Sequence, residues 1–134
     1  VACLLSDGLN RAGQSEETRE IAQRITLHFG NAVDLMQELA TQNGRPDVVY
    51  LDPMYPERRK TAAVKKEMAY FHDLVGAAQD EAELLDTALN TAKKRIVVKR
   101  PRLGEFLDGC KPAYQYTGKS TRFDVYLPTR PSED

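Results

Sequence analysis

Two cysteines, two histidines and the want of any long apolar run set the first limits on this 134-residue chain. Cys3 and Cys110 stand far apart and in no ligand spacing, so they read as thiols in a reducing compartment rather than as a disulfide frame. His28 and His72 pair with no nearby cysteine or second histidine, and no metal site is expected. No apolar stretch approaches the ~18 residues that a membrane span needs. No secretory leader is visible, so the expected setting is cytoplasmic, without membrane attachment. Charge of one sign is also scarce: the formal net charge is −1, and bulk charge points to no polyanion partner. An initiator methionine is missing as well. Val1-Ala2-Cys3-Leu4-Leu5 enters a helical pattern with no cap before it, and further sequence is expected upstream.

What is present suits one domain or one piece of a domain. Hydrophobic residues make up 41% and charged residues 29%, a balance that argues against disorder. Val1 to about Arg11 carries a helical apolar face, and Ser15-Glu16-Glu17 suits the start of a short helix reaching about Gln23. Arg24 to Phe29 alternates polar and apolar residues and predicts a short strand. After Gly30-Asn31, a second amphipathic helix follows through Leu39. Asn43 to Pro46 is a loop by composition. Asp47-Val48-Val49-Tyr50-Leu51-Asp52 predicts a strand buried on both faces, stopped by Pro53 and Pro56. Thr61 to Tyr70 can be helical, and Asp80 to Lys94 is a clear helix with acids in its first turn and cations in its last. Arg95 to Arg100 predicts another buried strand, ended by Pro101. Ala113–Thr117 and Arg122–Leu127 are two more, joined by the hairpin link Gly118-Lys119-Ser120-Thr121. Strands separated by helices imply an α/β fold with a parallel sheet, closed here by a C-terminal antiparallel pair. Residues 1–128 form the domain portion and 129–134 a tail.

In such a sheet, ligands bind beyond the carboxyl ends of the strands. Asp52-Pro53-Met54-Tyr55-Pro56 is the strongest signal at such an end. An exocyclic amine on a nucleobase is a poor nucleophile, because its lone pair is delocalised into the ring. The carboxylate of Asp52 and the carbonyl of Pro53 can accept its two N–H groups and aim that lone pair at a methyl donor. Tyr55 offers a ring for the base to stack on, a contact worth roughly 1–3 kcal/mol. A plain alternative is that Asp52 caps the following turn and the prolines only end the strand.

Asp52-Pro53-Met54-Tyr55 resembles the (Asp/Asn/Ser)-Pro-Pro-(Tyr/Phe) motif of amino-directed nucleic-acid methyltransferases, with Met54 in place of the second proline. The wider pattern Val48 to Pro56, Val64 to Met68, Arg95 to Pro101 and Arg122 to Tyr126 resembles the bacterial ribosomal RNA small-subunit methyltransferase J family, over about residues 1 to 128. The resemblance implies a class I S-adenosylmethionine-dependent methyltransferase fold, Rossmann-like, of which this chain supplies the later strands. It implies S-adenosylmethionine as cofactor, 16S rRNA of the small ribosomal subunit as partner, and the N2 amine of a guanine as target. Asp52, Pro53 and Tyr55 would be catalytic. Asn31 and Ala32, with Asp52, would contact the donor, although Gly30-Asn31-Ala32 also reads as a simple strand-to-helix turn. The family's glycine-rich donor loop lies before the position matching Val1, so the chain alone is expected to be inactive.

Local charge adds candidates. Arg58, Arg59, Lys60, Lys65 and Lys66 follow the Asp52 motif, and Lys99 and Arg100 end a strand on the same sheet edge, so these seven are candidate RNA-phosphate contacts. Asp124 lies inside a strand pattern and needs a partner if buried, with Arg122 and Lys99 both available. Three other readings stay open: an adenine or DNA amino-methyltransferase, a P-loop NTPase whose phosphate loop lies upstream, and a non-catalytic RNA-binding module.

Overall fold

The structure is a computed structural model that describes residues 2–42, 44–53 and 80–129. The chain divides into two compact units, residues 1–31 and 32–134.

The first unit holds α1 (Ala2–Gln14) and the short α2 (Arg19–Gln23). The turn between them is set by polar groups. The Thr18 hydroxyl donates to the Ala12 carbonyl at 2.6 Å, and the Arg19 Nε donates to the Gly13 carbonyl at 3.2 Å. The Ser15 carbonyl accepts from the amides of Thr18 and Arg19, so residues 15–18 form a turn and the second helix starts later than Ser15 suggests. The strand expected over Arg24–Phe29 does not form. A strand exists only through hydrogen bonds to a neighbour, and no described strand pairs with this segment. Its apolar residues stand out to solvent, Phe29 at 88% exposure.

Among its described residues, the second unit is a four-stranded sheet with helices on one face. It contains α3 (Ala32–Thr41), β1 (Val48–Leu51), α4 (residues 80–91), β2 (Arg95–Pro101), a 3-10 turn (Leu107–Gly109), β3 (Tyr114–Thr117) and β4 (Thr121–Tyr126). The order across the sheet is β1-β2-β4-β3, with β1 and β2 parallel and the other neighbours antiparallel. The hairpin therefore folds back so that β4, not β3, lies against β2. Its link is tight: the Gly118 amide donates to the Thr121 carbonyl at 2.7 Å, and a Cβ at position 118 would sit 3.1 Å from that oxygen.

The register sorts the side chains. Val49 lies opposite Ile96 and Leu51 opposite Val98; Ile96 lies opposite Tyr126. These residues share one face and pack with Leu85, Ala88 and Ala92 of the α4 segment, Met36 of α3 and Leu107. Each large apolar side chain so buried contributes about 1.5–3 kcal/mol. Val48 and Tyr50 point the other way and are exposed, so β1 is buried on one face rather than both. The physical reason is that α3 and α4 cover one side only among the described residues of this unit. The α4 C-terminus is fastened to the loop before β1. Arg45 donates to the carbonyls of Thr91 and Ala92, each at 3.2 Å, and the amides of Lys93 and Lys94 donate to Pro46 and Asp47. The Arg45 bonds satisfy carbonyls that a helix end leaves open.

Candidate functional site

Strand pairing decides what stands beside Asp52. Because β1 and β2 run parallel with Leu51 opposite Val98, the next residues, Asp52 and Lys99, emerge together at the carboxyl edge. Lys99 Nζ lies 3.6 Å from Asp52 Oδ2, with side chains 43% and 56% exposed. An ion pair this open contributes only about 0–1 kcal/mol, so its value to the fold is slight. Pro53 follows, without an N–H and with φ fixed, which stiffens the exit of the chain from β1.

An open cleft of about 410 Å³ lies at this edge. Asp52, Pro53, Lys99 and Pro101 line it from the strand ends, together with part of Arg100. Ser120 and Thr121 of the hairpin line it too. They arrive there because Pro101 pairs with Thr121 and the Arg102 amide donates to the Ser120 carbonyl at 3.0 Å. Sequence reasoning read 118–121 only as a link. Its small polar side chains were the available signal, but their place depended on β4 inserting next to β2.

Arg100 is a correction. Its side chain alternates onto the helix-covered face, is 1% exposed, and faces Glu81 with Nη2–Oε1 at 3.4 Å. A phosphate could reach that guanidinium only by entering the core, so Arg100 leaves the set of candidate RNA contacts. Glu81 also accepts the Asp108 amide on Oε2 at 3.2 Å, joining α4, β2 and the 3-10 turn. Asp108 itself holds φ 54°, a left-handed conformation in which a non-glycine residue is uncommon.

Asp124 is fully buried and takes Arg122 rather than Lys99 as its partner. The contact is bidentate, Nε–Oδ1 at 2.7 Å and Nη2–Oδ2 at 3.0 Å, and Gln115 Nε2 adds a third hydrogen bond at 3.1 Å. Arg122 Nη1 donates onward to the Arg102 carbonyl at 3.0 Å, and its guanidinium lies 5.2 Å from the centre of the Phe106 ring. This network fixes the strand that leads into the cleft. Tyr126, next on the same face, donates its hydroxyl to the Cys110 carbonyl at 2.7 Å. Burial, with help from the nearby Asp124 charge, pushes its pKa up to about 12.

The other sequence candidates are distributed as follows. Asn31 closes the first unit and Ala32 opens α3, after Gly30 at φ 153°. Tyr55, Arg58, Arg59, Lys60, Lys65 and Lys66, and the helix expected over Thr61–Tyr70, lie outside the described residues. Among the described residues no cluster of three or more metal-ligating side chains occurs, and no helix is long and apolar enough to cross a membrane.

Residues 1–128 match the family model SAM_MT, described as a SAM-dependent methyltransferase. The chain is 73% identical over 128 residues to ribosomal RNA small subunit methyltransferase J of Neisseria meningitidis serogroup C, covering 96% of this chain and 51% of that protein. It is 52% identical over 127 residues to the protein of the same name from Thioalkalivibrio sulfidiphilus, covering 95% of this chain and 49% of that one. A crystal structure of a SAM-dependent methyltransferase from Neisseria gonorrhoeae superimposes with a TM-score of 0.80 and 64% identity, over 96% of this chain and 49% of that one. The chain thus spans about half the length of the curated relatives it matches.

Proposed function

The chain belongs to the SAM-dependent methyltransferase family, whose pattern runs through residues 1–128, and from that footing we propose that the full-length protein methylates the exocyclic N2 amine of a guanine in 16S rRNA. The mixed sheet is consistent with a class I methyltransferase fold. The observation that carries the proposal is Asp52-Pro53 at the carboxyl end of a parallel strand, half-exposed on an open cleft.

The residues present suit a donor and a base meeting there. The Asp52 carboxylate faces the cleft rather than the core, and Lys99, Ser120 and Thr121 add further polar groups to the lining. Bound S-adenosylmethionine supplies an electrophilic methyl group on a sulfonium sulfur. Asn31 and Ala32 are assigned to the donor's adenine by their place after the Gly30 turn, and Asp52 to its reactive end. Asp52 and the Pro53 carbonyl accept the two N–H groups of the target amine and so orient its lone pair. Tyr55 stacks on the base. No strong base is required, since the amine proton becomes acidic only as the new N–C bond forms; it would pass to Asp52 or to solvent, while the S–CH3 bond breaks and the donor would leave as a neutral thioether. The work of the site is alignment and hydrogen-bond acceptance. The target guanine has to leave its stack to enter the cleft, as base-modifying enzymes generally require. Arg58, Arg59, Lys60, Lys65 and Lys66 hold the RNA backbone by phosphate contacts that carry no sequence information.

The test is product analysis with the full-length protein, S-adenosylmethionine and unmethylated small-subunit RNA. Nucleoside mass spectrometry should yield N2-methylguanosine; a methylated adenine would overturn the base assignment. Asp52→Ala should reduce turnover by about 10²–10³-fold with RNA affinity nearly unchanged, and unaltered turnover removes Asp52 from the mechanism. Neutralising Arg58, Arg59 and Lys60 together should weaken RNA binding and flatten its salt dependence by roughly one unit of slope per lost phosphate contact. Equal affinity in filter binding would defeat that assignment.

A further inference from the structure

Lys99 has a position that phosphate binding does not explain. It stands inside the cleft with its ammonium 3.6 Å from an oxygen of Asp52, and both side chains are about half exposed. The strands do not need this contact: β1 and β2 are already joined by four paired residues and a shared apolar face. The gap is loose for a charge-assisted hydrogen bond, which closes to about 2.7–2.9 Å when well made. A ligand can therefore bind alongside both groups without breaking a strong bond. The pair presents two carboxylate oxygens with an ammonium 3.6 Å from one of them: two acceptors beside one donor.

We infer that Asp52 and Lys99 together read the Watson–Crick edge of the target base, with Lys99 donating to a ring carbonyl, so that the pair selects guanine. Guanine presents its amine, its ring N1–H and its O6 carbonyl in a row, two donors beside one acceptor. One Asp52 oxygen accepts from the amine, the oxygen on the Lys99 side accepts from N1–H, and the Lys99 ammonium donates to O6. Adenine places a bare ring nitrogen next to its amine, and cytosine does the same. In either case the second carboxylate oxygen meets a lone pair instead of a hydrogen, and a polar site left with a mismatched partner discriminates strongly. Lys99 is then a specificity residue that touches the base edge. The inference rests on the guanine reading above and names what enforces it.

The experiment compares wild type, Lys99→Met and Lys99→Arg of the full-length protein. The substrates are small-subunit RNA carrying either guanine or 2-aminopurine at the methylated nucleotide. 2-Aminopurine keeps the amine but lacks both the carbonyl and the N1–H, so the part of its penalty that falls on Asp52 persists in Lys99→Met and only the difference between the two proteins reports on Lys99. For wild type, kcat/KM should fall by about 100-fold on that replacement; Lys99→Met should lose about tenfold or more on guanine and show a 2-aminopurine penalty at least about tenfold smaller than wild type, the coupling expected of a charge-assisted hydrogen bond. Lys99→Arg should recover most of the guanine activity. RNA affinity in filter binding should change by less than about threefold, because a base-edge contact is one among many phosphate contacts. An equal 2-aminopurine penalty in wild type and Lys99→Met overturns the inference. So does a loss of RNA affinity with selectivity intact, which would make Lys99 a phosphate contact. Both of those results leave guanine methylation standing. If wild type methylates no guanine, the parent reading falls and this one falls with it.

Discussion

Two of the aspartate–cation pairs at this small sheet could hardly differ more. Asp124 and Arg122 face the helix-covered side, meet at 2.7 Å and are nearly closed off from water. Asp52 and Lys99 stand at the carboxyl edge, 3.6 Å apart and about half exposed. The first pair is held further by hydrogen bonds to Gln115 and to the Arg102 carbonyl. The second leaves both of its members open to solvent. The same two charge types thus serve different ends: a closed network fixes geometry, and an open pair leaves its groups available to a ligand.

That contrast breaks or sharpens under mutation. The largest effect on stability is expected from Asp124→Ala, which strands the Arg122 guanidinium in the core and should cost about 3–5 kcal/mol in denaturant unfolding of the full-length protein. Replacing both members by apolar residues should cost much less than the single change, since the uncompensated charge is gone. If Asp124→Ala proves as mild as a surface change, the two pairs do not differ in kind. Glu81→Ala should come next, at roughly 1–3 kcal/mol, because buried Arg100 and the Asp108 amide both lose an acceptor. Tyr126→Phe should cost about 1 kcal/mol through the lost hydrogen bond to Cys110. It should also change the alkaline limb. Tyr126 is neutral in the fold up to about pH 12, against 10 for a free tyrosine. Its contribution is therefore complete below pH 10 and fades as pH rises from 10 to 12. Denaturation at pH 9 and pH 11.5 should show a steeper loss in wild type than in Tyr126→Phe. The smallest effect belongs to Asp52→Ala, within about 0.5 kcal/mol of wild type, although it should be the most damaging to turnover. A large drop in stability there would mean that Asp52 serves the fold.

Much of this was legible from local pattern. α3, α4 and the four strands follow from periodicity, from prolines after β1 and at the end of β2, and from the charge distribution of the 80–94 segment. Asp52 could be placed because a strand-ending Asp-Pro is a local feature. What escaped depended on neighbours distant in sequence. Arg100 and Lys99 look alike in a run of cations, yet alternation along β2 sends one into the core and the other to the cleft. Alternation alone puts Arg122 on the face of Asp124; what register adds is that Lys99 pairs with Phe123 and so lies on the opposite face. Ser120 and Thr121 entered the cleft lining only through the β1-β2-β4-β3 order. Arg24–Phe29 had the alternation of a strand but finds no described partner, and alternation alone supplies no hydrogen bonds.

Glu81, which ties α4 to both Arg100 and the Asp108 amide, also bears on the order of assembly. Its partners lie close along the chain, as do the paired residues of the β3–β4 hairpin, whereas Val48 must find Arg95 across a long intervening stretch. Loop-closure entropy favours the nearer contacts first. We therefore expect pulse-labelled hydrogen exchange to protect the amides of β2 and β4 before those of β1. The carboxylate at the tip of β1 would then be among the last groups in this unit to reach its place, delivered to a frame already standing.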